Sequence, residues 1–256
     1  DHLDVYSDAA SLQDAYKEFA SQVKGSLFVE KNIPLKGITY SVSEEADFYI
    51  DGIRPDASGS YFDLHTPDGV YRNQFFNQLG MHNLSNALVA LAMASKAGLL
   101  VEDLAKSLAS FPGVERRLQV LINEKNRVLI DDYAHHPTEI KAVYETLKLS
   151  FPADEKCVVF QPHLFSRTQD FMTDFATALS LFDRVLLLDI YPARELPIEG
   201  VSSGALKELI SGPSVELVTK KELANRLSSV DERIIVLLGA GDIGDEVEGI
   251  KHKLLY

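Results

Sequence analysis

The sequence predicts an α/β protein in two pieces, about 1–112 and 113–256, the second built on a mainly parallel sheet. Two observations lead there. After Phe111-Pro112-Gly113, short apolar runs alternate strictly with helical stretches, which is the pattern of parallel strands joined by crossover helices. Before that break, a helical opening gives way to closely spaced β-type runs and then to a long helix. The chain has 256 residues, 46% hydrophobic and 25% charged, so it can bury an ordinary core.

In the first piece, Ala9 to Val23 carries Leu12, Ala15, Tyr16, Phe19 and Val23 at helical spacing. Ser26–Val29, Gly37–Ser41, Phe48–Ile53, Tyr61–His65 and Val70–Phe75 read as strands, separated by Gly, Pro and Asp turns. Gly80–Gly98 and Val101–Leu108 read as helices. In the second piece the strands are Val128–Ile130, Cys157–Phe160, Val185–Asp189, Val215–Val218 and Ile234–Leu238. The helices between and after them are Pro137–Leu149, Thr168–Leu181, Ser203–Ile210, Lys220–Leu227 and Ile243–Leu255.

Composition narrows the function classes. A net charge of −13 disfavours a phosphate-tracking nucleic-acid surface, so an anionic substrate needs locally gathered arginines. No apolar run approaches the ~20 residues of a membrane helix, and no signal-peptide pattern is present. The single cysteine, Cys157, sits in an apolar run and reads as a buried strand thiol; one cysteine excludes an internal disulfide and fits a reducing compartment. The opening Asp1-His2-Leu3-Asp4, without an initiator Met, reads as the interior of a larger protein.

The densest chemistry lies in Val128–Glu139, VLIDDYAHHPTE. A strand end should release Asp131, Asp132, Tyr133, His135 and His136 into one turn, and Pro137 suits the first position of the following helix. A polar connector is the plain alternative. Gln161-Pro162-His163-Leu164-Phe165-Ser166-Arg167-Thr168 follows the next strand in the same topological position, so His163 and Arg167 should face the same crevice. In Gly80-Met81-His82-Asn83-Leu84-Ser85-Asn86, the amides of Asn83 and Asn86 stand three apart on one helix face and could bond an adenine edge; Asn83 could equally cap the helix. Arg116 and Arg117 follow the proposed boundary, either solvated or clamping phosphate. Gly239-Ala240-Gly241-Asp242-Ile243-Gly244 matches G-x-G-x-x-G but lacks a following strand and acidic residue, so it reads as a tight turn into the last helix. No G-x-x-x-x-G-K-[ST] loop occurs.

In this order, DHLD, GMHNLSNA, GVERRLQ, DDYAHHPTE, PHLFSRT and GAGDIG resemble the Mur ligase family, most closely its alanine-adding branch, over essentially the whole chain. The resemblance implies the later part of a central ATPase domain followed by a Rossmann-like C-terminal domain, with the uridine-nucleotide domain, the phosphate loop and a metal-binding glutamate lying elsewhere. It implies that the full enzyme uses ATP and Mg²⁺ to join L-alanine to the lactyl carboxylate of UDP-N-acetylmuramate through an acyl phosphate, in cytoplasmic peptidoglycan precursor synthesis, whereas these residues alone are inactive. Oligomeric state is left open. By resemblance His2 matches the Mg²⁺-ligating histidine. Asn83 and Asn86 match the adenine-binding amides, Arg117 the arginine on the ATP phosphates, and Asp132 the ribose-binding aspartate. Tyr133, His135, His163 and Arg167 match groups around the amino acid and acyl phosphate. Leu164 stands where several relatives have arginine, and Tyr16 with Lys17 matches the site of a carbamylated lysine in other branches; Lys17 is expected unmodified. Two other readings share these motifs: a ligase that attaches a whole peptide to UDP-N-acetylmuramate, and a non-catalytic nucleotide-binding fragment.

Overall fold

The computed structural model describes residues 8–256. Two units divide it: one gathers the residues up to Arg54 with Ser60–Asn77 and Met81–Phe111, the other Pro55–Gly59, Gln78–Gly80 and Pro112–Tyr256.

In the first unit, helix α1 (Ala9–Gln22) starts where the Asp8 carboxylate accepts the Ser11 N–H at 2.8 Å, and the Ser11 side chain answers the cap backbone. The stripe predicted for this helix is covered unevenly. Leu12 and Ala15 are half-buried, but Tyr16 and Phe19 stay 61% and 65% exposed, beside a cavity of about 420 Å³ that Leu27, Ile33 and Tyr40 also line. Lys17 pairs with Asp14 at 2.9 Å on the solvent side.

Strands β1 (Phe28–Glu30), β2 (Ile38–Ser41), β3 (Phe48–Asp56), β4 (Gly59–Thr66) and β5 (Gly69–Phe76) form one sheet in that order. The first three are mutually parallel, and β4–β5 is antiparallel. Helices α2 (Met81–Lys96) and α3 (Val101–Ala109) follow. Phe48, Ile50, Phe62, Leu64 and Phe76 meet Leu84, Leu88 and Leu91 of α2 in a closed core. The helix period of α2 and the two-residue period of the strands thus deliver their apolar faces to the same layer.

The second unit runs β6 (Gln119–Asn123), β7 (Val128–Asp132), α4 (Pro137–Ser150), β8 (Lys156–Phe160), α5 (Phe165–Asp170), α6 (Met172–Leu179), β9 (Arg184–Leu187), α7 (Ser203–Leu209), β10 (Ser214–Leu217), α8 (Lys220–Leu227), β11 (Ile234–Leu238) and α9 (Val247–Leu255). A 3₁₀ turn, Asp242–Glu246, leads into α9. The sheet order is β10-β9-β8-β11-β7-β6, all parallel except β6 against β7. β6 is an edge strand that the period reading passed over, and a bulge between Val120 and Ile122 interrupts its register.

β7, β8 and β11 are buried at every position, as parallel strands covered on both faces must be. Ile130, Val158, Phe160 and Val236 point to α4, α6 and α7, whereas Leu129, Cys157, Val159 and Ile235 point to α8 and α9. Burial pushes the Cys157 thiol up to about 12, so it is an inert core group. The chain steps outward from β8 to β10 and then returns to lay β11 between β7 and β8. Connections therefore leave neighbouring strand ends towards opposite faces, which opens a crevice at their carboxyl ends.

Candidate active site

The carboxyl end of β7 differs from the sequence expectation in one respect. Asp131 and Asp132 are not in the turn; they are the last two residues of the strand, 2% and 4% exposed. Asp132 accepts the Leu118 N–H at 2.7 Å on one oxygen and the Ala134 N–H at 2.8 Å on the other. Its carboxylate therefore fixes the backbone on both sides of Arg117 and Tyr133, the residues that stand exposed beside it. Burial raises Asp131 to about 6, against the pull of Arg116, whose Nε is 3.5 Å away.

Tyr133 to His136 make the turn itself. His136 caps α4, accepting the Thr138 N–H at 3.3 Å, while Glu139 accepts the N–H groups of His135 and His136 at 2.8 and 3.0 Å. With Pro137 at the first helical position, these residues are the start signal of α4. His136 also packs on Phe171, and burial lowers its pKa. His135 is different. Its Nδ1 lies 2.9 Å from the Tyr133 carbonyl, which can only accept, so Nδ1 carries a proton and Nε2 is the position from which the neutral tautomer would accept one.

The loop after β8 brings His163 alongside. The His135 and His163 rings are 6.2 Å apart, Tyr133 meets His135 edge-on at 5.4 Å, and Tyr191 stacks on His163 at 5.6 Å. Arg116 and Arg117 stand 4.9 and 5.8 Å from the Tyr133 ring. Burial, then Arg167, then His135 hold His163 below the usual imidazole range. Four of the sequence candidates, Tyr133, His135, His163 and Arg167, and the pair Arg117 and Asp132, therefore gather at the carboxyl ends of neighbouring strands of one sheet. Asn83 and Asn86 stand one turn apart on α2, half-buried and exposed. Because α2 begins at Met81, Asn83 lies inside the helix and is not its cap. His2 lies outside the described residues.

Next to His163 is a cavity of about 450 Å³ at the carboxyl ends of β8, β9, β10 and β11, lined by Gln161, Asp189, Tyr191, Thr219, Lys220 and Asp242 among others. None of these was nominated from sequence. The Lys220 ammonium meets Asp242 at 2.5 Å, and the Gln161 amide donates to Asp242 at 2.7 Å while accepting the Ile243 N–H at 3.0 Å. The closing glycines owe their identity to this packing. A Cβ on Gly241 would come within 2.5 Å of Gln161 Oε1 and 2.7 Å of Tyr191, one on Gly239 within 2.8 Å of the Gln161 carbonyl, and one on Gly244 within 3.1 Å of the Arg116 guanidinium. Arg116 in turn donates to the carbonyls of Gly239 and Gly241. The G-x-G-x-x-G spacing is thus a close-approach turn, as its lack of a following strand suggested.

Comparisons with known proteins agree with this geometry. Residues 1–94 match the family model of the Mur ligase middle domain, and 116–241 that of the Mur ligase glutamate ligase domain. UDP-N-acetylmuramate–L-alanine ligases of Christiangramia forsetii and Flavobacterium psychrophilum are 48% and 49% identical over 100% and 99% of this chain. The chain spans 57% of the length of each. Among solved structures, the UDP-N-acetylmuramate-alanine ligase of Thermotoga maritima superposes with a TM-score of 0.80 at 23% identity, over 100% of this chain and 57% of that one. The MurF ligase of the same organism, in complex with ADP, gives 0.73 at 18% identity over 99% and 60%. At those identities the superpositions speak for the fold alone, but the family models and the curated relatives speak for descent: the chain belongs to the Mur ligase family.

Proposed function

We propose that this chain forms part of an ATP-dependent, cytoplasmic ligase that joins L-alanine to the lactyl carboxylate of UDP-N-acetylmuramate, an early step in peptidoglycan precursor synthesis. Residues 1–112 would be the later part of its central nucleotide-binding domain and 113–256 its amino-acid domain. The observation that carries the reading is the convergence of His135, His163 and Tyr191 beside a cavity at the carboxyl ends of the sheet.

A carboxylate is a poor electrophile. In the proposed reaction it takes the terminal phosphoryl group of ATP, releasing ADP and giving an acyl phosphate. The alanine amine then attacks the acyl carbon, the bond to the phosphate oxygen breaks, and inorganic phosphate leaves. Arg167 would offset the charge of the transferring group. His163, kept neutral below the usual imidazole range, would hydrogen-bond that group without adding a second cation. His135 would receive the proton lost from nitrogen at Nε2, the atom left as acceptor by the Tyr133 carbonyl. A cavity of about 450 Å³ holds a small amino acid with room for water, and its Asp189 carboxylate suits an ammonium group, Asp242 being paired with Lys220.

For the nucleotide, Arg117 is exposed beside the Tyr133 ring, and its planar guanidinium suits a phosphate contact. Asp132, whose two carboxylate oxygens accept the Leu118 and Ala134 N–H groups, would bind the ribose. Asn83 and Asn86 would complete the adenine side. Mg²⁺ is proposed with His2 as ligand. No group of three His, Cys, Asp or Glu suited to a metal occurs among the described residues.

Ligation assays on the longer protein test this reading, with product formation from L-alanine, L-serine, glycine and a tripeptide compared. L-Alanine should be preferred, and His163→Ala and Arg167→Ala should each lower kcat by about a hundredfold or more. Preference for the tripeptide, or full turnover in both variants, would defeat it.

A further inference from the structure

We propose that Glu195 is the positioning residue of the His163–Arg167 pair: its carboxylate locks the loop after β8 onto the loop after β9 and so sets where both side chains stand. The inference rests on reading that pair as the acyl-phosphate side of the site.

The loop that carries the pair cannot hold its own shape. Leu164, the residue before α5, has φ 72° and ψ 137°, a region that penalises a side chain, and it offers no capping group to the helix. The first N–H groups of α5 need partners from elsewhere. Glu195 supplies them. Its Oε2 accepts the Ser166 N–H at 2.9 Å, its Oε1 accepts the Ser166 hydroxyl at 2.5 Å, and the Phe165 N–H also bonds to it.

Glu195 is itself held by a tight turn. Its N–H donates to the Pro192 carbonyl at 2.9 Å, and Ala193 takes a left-handed φ of 50° to make that turn possible. Between the two anchor points the loops are laced by backbone bonds: the Tyr191 N–H donates to Pro162 at 2.8 Å and the Leu164 N–H to Tyr191 at 2.9 Å. His163 and Tyr191 form the bridge between them. Removing Glu195 therefore leaves the lacing intact at one end and frees the end nearest Arg167.

Glu195 also acts on charge. Burial alone would raise its pKa, but the Ser166 and Phe165 donors hold it below the usual carboxylate range, so it stays ionised. The groups facing His163 are Arg167 from α5, His135 from the loop after β7, and Tyr191 with Glu195 from the loop after β9. Of these, Glu195 is the one whose charge favours protonation of His163. It thus opposes the burial, Arg167 and His135, which together lower the His163 pKa.

Glu195→Gln, Glu195→Asp and Glu195→Ala test both effects in this 256-residue chain, with ring titration followed by NMR and backbone amide exchange followed by mass spectrometry. Glu195→Gln, which keeps one acceptor for Ser166, should lower the His163 pKa and leave that of His252, remote in sequence on α9, unchanged. Glu195→Ala should do the same and also speed amide exchange across 163–168 by about tenfold or more, with Glu195→Asp intermediate. In the longer protein kcat should fall by about tenfold to a hundredfold while KM for ATP holds, because the nucleotide groups lie on other elements. An unmoved His163 titration together with native exchange across 163–168 in Glu195→Gln and Glu195→Ala would overturn the proposal. If Glu195→Ala fails to fold, Glu195→Gln decides alone. Absence of ligase activity in the unmodified protein would count against the function proposed above, and the two spectroscopic readouts would still judge Glu195.

Discussion

Asp131 shows how far a single buried carboxylate departs from its solution behaviour. It is 2% exposed, its Oδ1 has no hydrogen-bond partner, and Arg116 offers a partial counter-charge through an Nε that likewise lacks a hydrogen bond. A folded pKa of about 6, above the ordinary 3.8, means the folded state binds the proton more tightly than the unfolded chain. The associated stability is complete below the unfolded value and is lost as pH rises through the folded one. Asp131→Asn removes the charge, so its stability relative to the native chain should grow from pH 4.5 to pH 7.5, by about 2 kcal/mol at the very most. Urea denaturation of both proteins at the two pH values measures this. A difference that is constant with pH, or that shrinks, would show that Arg116 fully compensates the charge.

At the scale of elements, the closing turn between β11 and α9 is tightly packed. Gly241 has Gln161 and Tyr191 inside the space a methyl group would fill, whereas Gly249, within α9, has nothing within 4 Å. The two glycines should respond oppositely to the same change. Gly241→Ala must displace the ring that stacks on His163, so it should destabilise the chain by about 1–3 kcal/mol and disturb the His163 resonance. Gly249→Ala should stabilise it by about 0.5–1 kcal/mol through helix propensity alone. Thermal melts of the two variants check the signs. A harmless Gly241→Ala would mean that the turn has slack not visible in its geometry.

At the scale of the molecule, the 256 residues hold Arg117 and Asp132 but no G-x-x-x-x-G-K-[ST] loop to cradle phosphates. The chain alone should therefore not release phosphate from ATP above the background of a control preparation, whereas a longer protein containing such a loop should. Steady release by the isolated chain would mean that phosphate is bound by groups not considered above. The −13 net charge sharpens the point: an anionic substrate meets overall repulsion, and gathered arginines must overcome it.

The sequence by itself determined the strands β7 to β11 and most helices of the second unit, because buried parallel strands are short continuous apolar runs and the helices between them keep their period; the single helix expected over Thr168–Leu181 is two, α5 and α6. It also determined which two loops, those holding His135 and His163, leave neighbouring parts of one sheet. It missed β6, whose mixed Gln119–Asn123 run has no clear alternation once a bulge shifts its register. Only the tertiary structure decided that Asp131 and Asp132 are buried strand residues, that His136 and Glu139 serve the start of α4, and that Glu195, from a loop with no motif, anchors Ser166. The reason is physical: periodicity reports which face a residue takes within its own element, whereas burial, ion pairing and close approach depend on residues distant in the chain, such as Gln161 against Gly241, that meet only when the sheet assembles.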